Sequence, residues 1–62
     1  MIRLTRFSGD LIFVNSDLIE IVERNPDTVL TLVSGNRLTV VETPEQIADL
    51  VRDFRRSLVP AS

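Results

Sequence analysis

The chain contains no cysteine, histidine, tryptophan, tyrosine or lysine. Without cysteine there is no disulfide staple and no thiolate nucleophile, and without histidine there is no imidazole base; the soft metal ligands are missing with them. Catalysis is therefore disfavoured, and neither a cofactor nor a small-molecule substrate is expected. Long apolar runs are also lacking. The longest is Leu11-Ile12-Phe13-Val14, far short of the ~20 residues a membrane-spanning helix needs. The opening MIRLTRF has no apolar stretch of signal-peptide length, so the expectation is no transmembrane segment and a cytoplasmic location. All seven basic residues are arginine. That choice suits bidentate anion recognition, but a GC-rich genome accounts for it more simply.

What is present is a folding chain. Hydrophobic residues make up 44% of the 62 positions, mean hydropathy is positive and the net charge is only -2, unlike a disordered, charge-swollen polypeptide. The length allows one domain, read here as residues 1–58 with a short tail at 59–62. A monomer this small buries only about 60% of its unfolded surface and needs very good packing, a staple or a partner. Disulfide and metal staples are excluded, which leaves packing or a partner.

Ile2-Arg3-Leu4-Thr5-Arg6 alternates apolar and polar side chains, the pattern of a half-buried strand. Ser8-Gly9-Asp10 supplies turn chemistry, with Gly9 expected to open a two-residue II′ hairpin loop, and Leu11 to Val14 is the return strand. Asn15-Ser16-Asp17 reads as a loop, Leu18 to Arg24 as a third strand, and Asn25-Pro26-Asp27-Thr28 as a type I turn with proline at its second position. Thr28 to Val33 and Arg37 to Glu42 complete the strands around Ser34-Gly35-Asn36. The period then lengthens to about 3.6 residues. Thr43 and Gln46 make a capping box with Pro44 at the first helical position. Ile47, Leu50, Val51, Phe54 and Leu58 form one apolar stripe, and Pro60 is expected to stop the helix. The fold class expected is α+β: a small antiparallel sheet of about five strands followed by one C-terminal amphipathic helix.

Leu4-Thr5 with Ser8-Gly9-Asp10 recurs 26 residues later as Leu30-Thr31 with Ser34-Gly35-Asn36, which suggests two similar hairpins. The later strands are apolar on both faces. In Leu18-Ile19-Glu20-Ile21-Val22, strict alternation would set Ile19 and Ile21 on one side and Leu18 and Val22 on the other. One helix covers one sheet face, so the remainder calls for a homo-oligomer or a bound protein, unless the sheet rolls into a half-barrel with both faces internal.

The nine carboxylates are scattered. Asp49 and Asp53 are an ordinary i, i+4 helix pair, well short of a calcium ligand set, and neither Gly9 nor Gly35 sits in a phosphate-binding motif. Arg52, Arg55 and Arg56 cluster near the helix end, where they match the helix dipole; Arg3 and Arg6 are expected beside them. Glu20, set among Leu18-Ile19 and Ile21-Val22, should point to solvent or meet Arg6 or Arg37. The candidate interaction residues are therefore Arg6, Glu20, Arg52, Arg55 and Arg56. A net negative charge and three phenylalanines as the whole aromatic content disfavour nucleic acid as the partner.

Leu18-Ile19-Glu20, then Pro26-Asp27-Thr28-Val29-Leu30-Thr31-Leu32 and Gly35, together with Leu4-Thr5-Arg6, Gly9, Phe13 and Asn15, resemble the signature of the FlbD/SwrD family of small flagellar proteins over about residues 1–56. The resemblance implies a bacterial, cytoplasmic, non-enzymatic accessory of swarming and flagellar motility. Such a protein would contact a motor or stator protein at the flagellar base beside the inner membrane. The strand-rich layout and the opening Met1 to Arg6 are also similar to the CsrA-type RNA-binding regulators, the alternative functional reading, although the turns at Pro26-Asp27 and Ser34-Gly35-Asn36 depart from that family.

Overall fold

Arg6 to Asp10 and Leu32 to Asn36 fold into the same turn. In the first, the Arg6 carbonyl accepts the Gly9 N–H at 2.9 Å and the Arg6 N–H donates to the Asp10 carbonyl at 2.9 Å; in the second, Leu32, Gly35 and Asn36 repeat both bonds at 2.8 Å. The glycines stand at φ +95° and +93°. These are three-residue hairpin loops with glycine in the left-handed bulge position, not the two-residue loop expected at Gly9-Asp10. The 26-residue repeat is thus a repeat of turn structure. Ser8 Oγ donates to the Asp10 carboxylate, and Ser34 Oγ accepts the Asn36 N–H.

The computed structural model describes residues 1–58; the expected stop at Pro60, the tail and the Leu58 side chain lie outside the described residues. Strands β1 (Ile2–Thr5), β2 (Leu11–Val14), β3 (Ile19–Arg24), β4 (Thr28–Leu32) and β5 (Arg37–Val40) precede helix α1 (Pro44–Leu58). The class is α+β, as the pattern predicts. The strands form two antiparallel sheets rather than one: β1-β2 and β3-β4-β5. They are joined at a corner by an Arg6–Val40 bridge and by the Val41 N–H donating to the Thr5 carbonyl at 2.9 Å. Hairpin turns this tight close local pairs, whereas β1 and β5 meet only at their ends, so pairing between the sheets stays short.

Two further departures lie in the connections. Asn15 caps a 3₁₀ turn, Ser16–Leu18, its side chain accepting the Asp17 N–H, so the third strand starts at Ile19 and not at Leu18. The Asn25–Pro26 peptide is cis, the form that goes with proline at the third turn position rather than the second, and the Asn25 N–H donates to the Asp27 carbonyl.

The core consists of Ile2, Leu4, Val14, Leu30, Val40 and Ile47, with Ile12, Ile19, Val22, Leu32, Leu38, Leu50, Val51 and Phe54 packed around it. Each fully buried aliphatic side chain contributes about 1.5–3 kcal/mol before entropy is subtracted. Inward positions alternate on β1, β2 and β5, as period-two strands require. β3 does not alternate. Its register against β4 shifts between Ile19, opposite Leu32, and Ile21, opposite Thr31. Glu20 is the extra residue of a bulge. The bulge turns Ile19 and Val22 toward the core and leaves Ile21 45% exposed, so the expected pairing of Ile19 with Ile21 on one face is overturned. Leu11, Phe13, Leu18, Val33 and Val41 also remain exposed; the outer sheet face is not internal, as a fully rolled half-barrel would require.

Candidate functional site

Helix α1 begins where the sequence places it. The Thr43 hydroxyl accepts the Gln46 N–H at 3.1 Å, and Gln46 Oε1 accepts the Thr43 N–H at 2.8 Å: a reciprocal capping box. The helix buries Ile47 and half-buries Leu50, Val51 and Phe54, and it touches both β1 and β3. Lying between them, it has a cleft along each flank.

One cleft, about 550 Å³, is lined by Arg3, Thr5 and Leu11 from the β1-β2 sheet and by Glu42, Gln46, Asp49, Leu50 and Asp53. Its charge is mostly acidic. The other, about 540 Å³, has an apolar floor of Ile19, Val22, Ile47, Ala48 and Val51, with Arg52 and Arg55 among its lining residues. The helix thus sorts its charges: carboxylates face β1, and two arginines border the apolar cleft beside β3.

Arg52 and Arg55 both line this cleft. Arg52 is held by Asp49 at 2.8 Å and lies 4.0 Å from Asp53, while Arg55 is 4.0 Å from Asp17. These pairs are more than half exposed and contribute little to stability. Arg56 is exposed and has no ion-pair partner among the described residues. Arg3 and Arg6 do not join this cluster: Arg3 belongs to the acidic cleft, and Arg6 is committed by its backbone to the hairpin and the Val40 bridge. Glu20 is exposed on its bulge and meets neither Arg6 nor Arg37 among the described ion pairs, so of its two expected environments it takes solvent.

Glu42 was missed by the sequence reading. Its Oε1 accepts the Thr5 N–H at 2.9 Å. Burial pushes this carboxyl upward, but hydrogen bonds from Thr5 and from its own backbone together outweigh burial and hold its pKa below the ordinary value. No local pattern announces the contact, because its partners lie 37 positions apart. Among the described residues no group of three or more Asp or Glu is placed to hold a metal ion, and no helix is long and apolar enough to cross a membrane.

The family model of flagellar and swarming motility proteins, FlbD, matches residues 1–59. The chain belongs to the FlbD family. No curated relative and no solved structure matches it. The matched residues include both flanks of α1. The apolar cleft and its arginines therefore lie on elements of the family domain, not on an appended segment.

Proposed function

We propose that this FlbD-family protein is a non-enzymatic accessory of flagellar and swarming motility that acts by protein contact, promoting motor or stator function from the cytoplasmic side of the flagellar base. The observation that carries this reading is the cleft between β3 and α1, apolar along Ile19, Val22, Ile47 and Val51 and bordered by Arg52 and Arg55. A groove of this make-up fits an amphipathic protein segment whose apolar side chains enter the floor while its carboxylates meet the arginines. The lining of this cleft offers apolar contact and positive charge, which supports binding. The RNA-binding alternative is weakened by the separation of Arg3 and Arg6 from the helix arginines and by the net charge of -2.

The test is the double charge reversal Arg55→Glu with Arg56→Glu. Both side chains are exposed, so the far-ultraviolet circular dichroism and the unfolding midpoint should hold while swarming falls. Unchanged swarming would reduce the arginines to a solvated face. A gel shift with total cellular RNA at physiological salt checks the alternative, and saturable submicromolar binding would favour RNA.

A further inference from the structure

Strand β2 is the outer strand of its two-stranded sheet, and the direction of its free hydrogen-bonding groups is set by the hairpin. The Arg6 N–H donates to the Asp10 carbonyl, and hydrogen-bonded pairs recur at every second position of an antiparallel ladder. The pairs Leu4–Ile12 and Ile2–Val14 therefore exchange their bonds inside the hairpin. Thr5 agrees with this phase: its N–H goes to Glu42 and its carbonyl to Val41, both away from β2. The N–H and C=O groups of Leu11 and Phe13 then point outward from the open edge of β2.

Open edges are normally blunted by charge, proline or a bulge. The other outer strand, β3, has such devices in Glu20, Glu23, Arg24 and its bulge. β2 reads Leu-Ile-Phe-Val and has neither charge, proline nor bulge; its one protection is its four-residue length. On its outer face Leu11 is 60% and Phe13 67% exposed.

We propose that β2 is a self-association edge, on which a second copy of this chain lays its own β2 antiparallel about a two-fold axis through Ile12. The occupant follows from the register. With hydrogen-bonding groups at Leu11 and Phe13 on either side of Ile12, the edge is its own complement: Leu11 faces Phe13 of the second copy, and each such pair exchanges both of its bonds. On the outer face this sets Leu11 across from the phenyl ring of the other copy, an aliphatic–aromatic pair of the kind that stabilises sheets. Asp10 falls opposite Val14 of the second copy, so no like charges oppose one another. The two hairpins become one four-stranded sheet, and the inference goes beyond motor contact because it requires no other component.

The experiment uses the full chain, whose lack of cysteine permits clean single-cysteine variants. Ile12 and its copy would form a non-hydrogen-bonded pair with Cα atoms about 4.5 Å apart, within the span of a disulfide. Ile12→Cys should therefore cross-link under mild oxidation, and Ile21→Cys on β3 should not. In sedimentation equilibrium the mass should rise from 7.0 kDa to twice that value with concentration, and Phe13→Lys should move the midpoint upward by about tenfold or more with circular dichroism unchanged. A monomer through high micromolar concentration overturns the proposal, even if the edge captures a strand of another protein. So does cross-linking at Ile21 without cross-linking at Ile12.

Discussion

Between β5 and α1, the Glu42 carboxylate occupies a place that a neighbouring strand's carbonyl would otherwise fill, accepting the Thr5 N–H at 2.9 Å. Because its pKa is lowered on folding, its contribution is complete above the unfolded value and is lost as pH falls through the folded value. Glu42→Ala should destabilise the protein by about 1 kcal/mol at neutral pH, the low end for a charge-assisted bond because the carboxylate is half exposed. The difference from the parent should shrink in urea melts taken at progressively lower pH. Gly35 poses a different problem: its φ is +93° and nothing lies within 4 Å of where a Cβ would stand. Gly35→Ala should cost about 1–2 kcal/mol of backbone strain and no steric clash. D-alanine introduced by chemical synthesis should remove that loss in the same denaturation assay.

Helix α1 depends on its ends and on its stripe, since an isolated helix of 15 residues is marginal in water. Thr43→Ala removes the hydroxyl that accepts the Gln46 N–H and should lower stability by about 1 kcal/mol, read from the shift in urea midpoint at constant slope. The capping box and the stripe were legible because both depend on residues a few positions apart. The two hairpins were legible as hairpins, for glycine alone tolerates φ near +90°. Their loop length was not, because Gly-Asp fits a two-residue loop and the bulged three-residue loop equally well until the register of the flanking strands is known. The bulge at Glu20 escaped for a related reason. An extra residue shows only against its partner strand, so Ile19 and Val22 look like opposite faces until β4 is laid beside them.

At the level of the whole molecule, α1 binds the two sheets together by touching β1 and β3, with Phe54 packed against the edge of the core. Phe54→Asp replaces that contact with a charge and should cost about 2 kcal/mol or more. In so small a domain, loss of the helix should appear as one cooperative transition at lower denaturant, with the far-ultraviolet signal and the dispersion of the methyl proton resonances changing together. Survival of the sheet transition after the helix signal is lost would show that the sheets stand without it.

Arg52 and Arg55 were legible as neighbours because i, i+3 spacing places them along one helix. Their distance from Arg3 and Arg6 was not, since it depends on which flank of α1 each strand takes. The amino-acid pattern alone specified the element types, the capped helix, the apolar stripe and the FlbD resemblance, all of which rest on short-range spacing or on residue identity. Tertiary structure decided the division into two sheets, the inward turn of Ile19 and Val22, the Glu42–Thr5 bond and the sorting of charge into two clefts. Each of these depends on groups far apart in the chain whose meeting is set by strand register and helix placement, and no local period records either.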